Sequence, residues 1–144
     1  HSETPFNRWL TIRIENGIFS LDFSDNKHGK EVEGEIKDLL ISFFSSYGKF
    51  LPSWEILNTE AYSPFQIKLY KEVRKIKAGE TLSYKELAEK LGCNPRRIGR
   101  TLPLNKHALF IPCHRIVRKD GSSGGYRWNT TLKKWMLRWE HQHP

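Results

Sequence analysis

The chain is 144 residues long, 38% hydrophobic and 12% aromatic, with 24 Lys+Arg against 16 Asp+Glu for a formal charge of +8. That size suits one compact domain or two small halves with a real core, which excludes general disorder. No apolar run approaches bilayer length, no signal-peptide pattern opens the chain, and two cysteines cannot build a disulfide framework, so membrane, collagen-like and disulfide-scaffold classes are excluded as well.

The chain opens on His1 rather than Met, which reads either as a trimmed start or as a residue added in cloning. Residues 9–15 and 18–23 flank Asn16-Gly17, a strong two-residue hairpin signal. Ile12 and Ile14 alternate with polar neighbours in the first strand, and Phe19, Leu21 and Phe23 in the second, so each has one face to bury. Val32, Ile36, Leu39, Leu40, Phe43 and Tyr47 then recur at helical spacing, predicting an amphipathic helix that covers that face and stops at Gly48. No polar cluster converges in this part, which reads as a support.

Periodicity and charge both change near Tyr62-Ser63-Pro64. Residues 1–63 carry 6 basic and 10 acidic side chains, a net of −4, and residues 64–144 carry 18 and 6, a net of +12. A division into 1–62 and 63–144 follows, with a polyanion partner or a merely solvated basic face as equal readings of the second part. Ser63-Pro64-Phe65-Gln66 is a capping box with proline at the first helical position; Ile67, Tyr70 and Val73 mark its buried face, and Ala78-Gly79 is the expected stop. Ser83-Tyr84-Lys85-Glu86 opens a second helix through Leu91, closed by Gly92, and Asn94-Pro95 caps a third that runs toward Leu102-Pro103. This pair reads as helix-turn-helix, with Arg96, Arg97 and Arg100 on the second member and Ile98 and Leu102 toward the core. Ala108-Leu109-Phe110-Ile111 is an apolar run too short for a helix, expected as a strand leading to Pro112-Cys113. A glycine-rich loop, residues 121–125, precedes a last helix with the stripe Leu132, Trp135, Met136 and Trp139 and with Glu140 at its end. The fold class is α+β: an N-terminal hairpin with one covering helix, then a mostly helical half with a winged-helix-like helix-turn-helix.

Cys113 stands next to His114 and near Arg115 and Arg118. A cysteine attacks as thiolate, which needs a base or positive surroundings. Adjacent strand residues point to opposite faces, so Cys113 and His114 cooperate only if the chain bends at Pro112 or a water bridges them. An inert buried cysteine is the competing reading from spacing alone. Cys93 has no comparable neighbours. Cys93 and Cys113 lack metal-finger spacing, and the first part offers only His1 and His28, so no metal is expected, nor any nucleotide or flavin cofactor.

The string Ile111-Pro112-Cys113-His114-Arg115-Ile116-Val117 closely resembles the active-site motif of the O6-alkylguanine-DNA alkyltransferases. The resemblance covers nearly all of residues 63–144: the helix start at Tyr84, Pro95-Arg96-Arg97-Ile98-Gly99, Asn105, Gly124-Gly125-Tyr126, Trp135 and Glu140. It implies a single-use repair protein that binds duplex DNA through the minor groove, flips the damaged guanine out of the stack and takes its O6-alkyl group onto cysteine. By matching positions, Cys113 attacks as thiolate, His114 takes its proton through a water, and Glu140 holds His114 in the right tautomer. Tyr84 donates toward the guanine, and Asn105 braces the turn that aims the cysteine. Backbone carbonyls of Cys113 and Ile116 accept from the exocyclic amine. Arg96 fills the gap left by the flipped base, and Arg97 and Arg100 meet phosphates.

Three departures from the family pattern stand out. Lys106 follows Asn105 where proline is usual, which is expected to loosen the turn. Arg127 and Trp128 follow Tyr126 where small residues are usual; with Ile116 and Tyr126 they are the expected pocket residues, and Trp128 is expected to narrow the pocket and favour methyl over benzyl adducts. Arg100 and Thr101 replace smaller residues on the helix. The partner is duplex DNA carrying O6-alkylguanine, met by a monomer or by monomers cooperating along the duplex, with no membrane. The compartment is reducing and intracellular: cytoplasm, nucleoid or nucleus. The alternatives are a non-catalytic alkyltransferase-like lesion binder, against which Cys113 argues, a thiol hydrolase, and a sequence-specific helix-turn-helix regulator.

Overall fold

A computed structural model describes residues 2–3, 8–26 and 29–144, so His1 and His28 lie outside the described residues. In the first part β1 (Ser2–Glu3), β2 (Trp9–Ile14) and β3 (Ile18–Ser24) form an antiparallel sheet in that order, with Leu10 opposite Phe23 and Ile12 opposite Leu21. Asn16 and Gly17 close the hairpin with the positive φ values such turns need. Leu10, Leu21 and Phe23 are buried as the alternation predicts. Ile14 is not: it is 57% exposed, and Phe19 is only partly covered while Ile18 is fully buried. The pairing register shifts between Arg13 and Ile14, and a shift of one residue turns a strand's side chains to the other face. The Phe19 ring instead carries the Arg13 and Lys106 cations, at 5.2 and 4.8 Å.

Helix α1 (Glu35–Ser45) buries Leu40 and Phe43 and is shorter than the apolar period suggests. No side chain caps its start at Gly34, which leaves Val32 outside, and Tyr47 lies beyond its end in a left-handed conformation. Gly48 ends the segment as expected, and a Cβ there would stand 2.5 Å from a Glu140 carboxylate oxygen. Only glycine lets this chain end approach α5 so closely.

In the second part the capping boxes at Ser63 and Ser83 both form, opening α2 (Pro64–Val73) and α3 (Tyr84–Leu91). Helix α2 stops at Val73, short of Ala78-Gly79, because residues 74–76 tighten into turns. Its deepest side chains are Leu69, Tyr70 and Val73, with Ile67 only partly covered. Gly92 closes α3 in the left-handed region, and Asn94 caps α4 (Pro95–Thr101), which buries Ile98 and Thr101 and continues as a 3-10 turn over Leu102–Leu104. These two helices are the helix-turn-helix. Beside them β4 (Leu82–Ser83) pairs in parallel with β5 (Ile116–Val117).

The short strand follows the cysteine rather than leading to it. Residues 108–111 are fully buried but run through successive tight turns, with Leu109 at φ 69 and hydrogen bonds from Phe110 N–H to Ala108 O (2.7 Å) and from Cys113 N–H to Ile111 O (2.7 Å). Cys113–Arg115 is a 3-10 turn, so the chain bends at Pro112. Helix α5 (Thr130–His141), capped by Asn129, buries Leu132, Met136, Trp139 and Glu140, with Trp135 half-buried. The core is continuous across both parts: Phe43 of α1 packs against Phe110 and Trp139 with ring centroids 6.2 Å apart in each case.

Candidate active site

Cys113 lines a cavity of about 240 Å³. Tyr84 comes from the first residue of α3, Gly99 from α4, Leu102 and Pro103 from the following turn, and Gly125, Tyr126 and Arg127 from the loop before α5. The loop reaches Tyr84 because Gly124 has φ 68 and no Cβ, which would sit 2.8 Å from the phenolic oxygen. The hydroxyl-bearing ring of Tyr84 is half-buried, and desolvation pushes its phenol up.

Cys113 as a whole is 5% exposed. Burial pushes the Cys113 thiol up to about 11, against the opposing pull of an Asn105 hydrogen bond and the Lys133 charge. The resting group is therefore the thiol. The positive surroundings expected from Arg115 and Arg118 are not assembled around it: Arg115 turns to Glu140, and Arg118 is exposed. Lys133 is the cation that sequence reasoning missed. It is 1% exposed, donates to Ile116 O (2.6 Å) and Gly125 O (3.0 Å), and is pulled down to about 8 by desolvation. Its signal was a lysine next to Leu132 in the apolar stripe of α5.

Asn105 is fully buried, and its amide N–H groups donate to Ile111 O (3.0 Å) and to the Cys113 sulfur (3.1 Å). The turn expected to be loose at Lys106 is tied down: Lys106 N–H donates to Tyr62 Oη (2.8 Å), its carbonyl accepts from Leu21 N–H (2.8 Å), and Arg127 donates to Asn105 O (2.6 Å). Tyr62 and His107, packed behind Asn105, were also missed, since nothing in their spacing links them to the cysteine.

His114 is fully buried with Nε2 3.0 Å from a Glu140 oxygen. Arg115 grips both oxygens of the same carboxylate, from Nε at 3.1 Å and from Nη2 at 2.7 Å, and also donates to Ile76 O and Gly48 O at 2.9 Å each. Burial works to raise the Glu140 carboxyl, but the His114 ring and then the Arg115 guanidinium outweigh it and hold it down to about 2. Burial keeps His114 below the ordinary imidazole range, with Glu140 pulling the other way. A neutral ring facing a carboxylate carries its proton on Nε2, so Nδ1, buried and without a partner among the described residues, presents its lone pair.

Two expected pocket residues lie elsewhere. Trp128 does not line the cavity: its indole N–H donates to Asp22 (3.1 Å) and its ring packs between Phe23 and Tyr126. At that core edge the ring is covered by two aromatic neighbours and its N–H has an acceptor. Ile116 is fully buried behind the cavity, its carbonyl held by Lys133, and the Cys113 carbonyl accepts from Ile116 N–H. Arg127 and Tyr126 do line it. Arg96, Arg97 and Arg100 are exposed on α4, with Arg97 3.6 Å over the Phe65 ring.

Residues 64–142 match the family described as 6-O-methylguanine DNA methyltransferase, DNA binding domain, so DNA is the class of partner. The methylated-DNA–protein-cysteine methyltransferase of Saccharolobus islandicus (strain L.S.2.15 / Lassen #1) is 34% identical over 145 residues, covering 96% of this chain and 91% of that protein. The fold matches that of the Mycobacterium tuberculosis O6-methylguanine methyltransferase, with a TM-score of 0.75 at 22% identity over 99% of this chain and 92% of the other. A Mycobacterium tuberculosis structure described as in complex with DNA gives a TM-score of 0.74 at 23% identity, over 93% and 87% of the two chains. The architecture, the DNA-binding half and a relationship running nearly end to end agree: this chain belongs to the O6-methylguanine DNA methyltransferase family, the methylated-DNA–protein-cysteine methyltransferases.

Proposed function

We propose that Cys113 accepts the O6-alkyl group of a guanine flipped out of duplex DNA, once per chain and irreversibly. The observation that carries this is a nearly buried cysteine lining a cavity whose wall includes Gly99 of α4, the helix that bears the three exposed arginines. In the step, the sulfur–carbon bond forms as the bond between the alkyl carbon and O6 breaks. The thiol proton passes through a water to Nδ1 of His114, whose Nε2–H stays with Glu140. The charge that develops on the departing guanine is met by the Tyr84 phenol, and the Asn105 amide donates to the sulfur as it becomes thiolate. Residues 1–62 support and residues 63–144 carry the chemistry. A nucleophilic free thiol of this kind belongs in a reducing compartment that contains DNA.

The test is incubation with duplex DNA containing O6-methylguanine, followed by intact mass and peptide mapping. One methyl on Cys113 per chain and no turnover supports the reading; repeated turnover or binding without a mass change overturns it. On α4, Arg96 is read as the side chain that enters the base stack and Arg97 and Arg100 as phosphate contacts. Arg96→Ala is expected to weaken binding and slow single-turnover repair about tenfold, roughly the worth of one stacked, hydrogen-bonded group. An unchanged rate would remove Arg96 from the flipping step.

With Trp128 turned toward Asp22, the narrowing of the cavity falls to Arg127, fixed by Asn105 O and lying 3.9 Å from Asp22. Methyl adducts are accordingly expected to react faster than benzyl adducts, and Arg127→Ala should shrink that difference. Rates measured side by side in both proteins decide it.

A further inference from the structure

Tyr62 is 7% exposed and His107 fully buried, and the step above uses neither. Their hydrogens can be assigned because one end of the string is a carbonyl. His107 Nε2 lies 2.6 Å from Ile18 O, which only accepts, so Nε2 carries the proton. Burial, helped by the Lys106 and Arg74 charges and opposed by the Ile18 carbonyl and Asp22, keeps the ring neutral. Nδ1 is then a lone pair and accepts from the Tyr62 hydroxyl at 2.6 Å. The Tyr62 oxygen in turn accepts from Lys106 N–H at 2.8 Å. On the other side, His107 N–H donates to Asn105 Oδ1 at 2.8 Å, which turns Nδ2 toward Ile111 O and the Cys113 sulfur. A flipped Asn105 amide would set its NH2 against the His107 N–H, two donors face to face in a buried site.

We propose that Tyr62 and His107 are positioning residues for alkyl transfer: they lock the Asn105 amide in the orientation that donates to the Cys113 sulfur, and they hold the turn by way of the Lys106 backbone N–H. The string starts at the Ile18 carbonyl on β3, so the supporting part sets the geometry of the nucleophile. This rests on Cys113 being the acceptor.

The test uses a property of proline, which has no N–H to give. Asn105, with φ −60 and ψ 126, already has the backbone a residue before proline needs. Tyr62→Phe strands the Lys106 N–H and the His107 Nδ1 lone pair, whereas Lys106→Pro takes from the Tyr62 oxygen only the N–H it accepts, its hydroxyl still donating to His107. Each alone is expected to slow single-turnover methyl transfer about tenfold, the worth of one buried hydrogen bond. Duplex affinity is expected to stay unchanged. Together the two changes remove the Lys106 N–H along with the Tyr62 hydroxyl and leave only His107 Nδ1 without its donor, so the double variant should transfer faster than Tyr62→Phe alone. A Tyr62→Phe protein at the native rate, or a double variant no faster than Tyr62→Phe alone, overturns the proposal. The His107 tautomer, read from 15N shifts of the native protein, needs no variant: a proton on Nε2 with bare Nδ1 supports it, and the reverse overturns it. Mass mapping of the native protein keeps the two readings apart. No methyl on Cys113 sinks the acceptor assignment itself, whereas methylated Cys113 with equal rates in all four proteins sinks only the positioning role.

Discussion

Cys113→Ser is expected to take up no methyl group from O6-methylguanine duplex while binding that duplex with nearly native affinity. The sulfur is shielded from solvent, and no base touches it directly among the described residues, so an alcohol in its place has even less means of losing its proton. Losses on the order of 10⁶ accompany removal of a nucleophile in comparable sites, which is beyond detection in a single-turnover assay. The exposed arginines proposed to meet DNA lie on α4, outside the cysteine's turn, and are untouched by the change. The native protein should show a matching pH profile. With the thiol held near 11 and His114 below the ordinary imidazole value, the rate should persist below pH 6.5 and fall only where His114 becomes protonated and can no longer accept. A rate that tracks free thiolate alone, rising tenfold per pH unit from acid to pH 9, would remove His114 from the step.

Replacing Glu140 by Ala is expected to cost about 3–5 kcal/mol in unfolding free energy, because it leaves the Arg115 cation buried with no counter-charge. Chemical denaturation measures this directly. Glu140→Gln keeps the volume and a hydrogen-bonding group but no longer selects the His114 tautomer, and its transfer rate should drop roughly 10³-fold or more at a smaller loss of stability. The pH dependence of native stability carries the same signature. The folded carboxyl titrates near 2, below its ordinary 4.5, so the stabilisation is fully present above pH 4.5 and lost as pH falls toward 2. Its size is about 3 kcal/mol from that depression. His114, buried neutral, adds to the loss in the same direction, since the unfolded chain binds a proton there first. A flat stability between pH 5 and 3 would contradict the bidentate ion pair.

The helices were legible because their ends are written in local chemistry. Ser63, Ser83, Asn94 and Gly92 act through bonds to residues two to five positions away, and all four sit where the sequence places them. Strand faces were legible only up to the register shift at Arg13, beyond which Ile18 meets Leu57 and Asn58, distant partners that the strand's own sequence does not show. The turns of residues 108–111 resisted reading for a similar reason: an apolar run reports burial, and burial does not specify extended backbone. At the site, the motif around Cys113 marked the proposed nucleophile and its immediate neighbours. It could not mark Tyr62, His107 or Lys133, whose partners lie 44, 89 and 17 positions away. Trp128 was misplaced because a neighbour in sequence of a cavity residue need not share its wall.

A protein used once has no second turnover in which to correct a poor first one, so an incompletely folded chain that reacted would be a wasted copy. Arg115 works against that outcome. Its guanidinium closes on Gly48 O at the end of the first helix, on Ile76 O in the loop after α2, and on Glu140 near the end of the last. Three distant stretches must therefore be in place before Glu140 is clamped and His114 is oriented behind the cysteine. On the proposed step, reactivity depends on that three-way junction being closed, and any slackening of it would withdraw His114 and the counter-charge together.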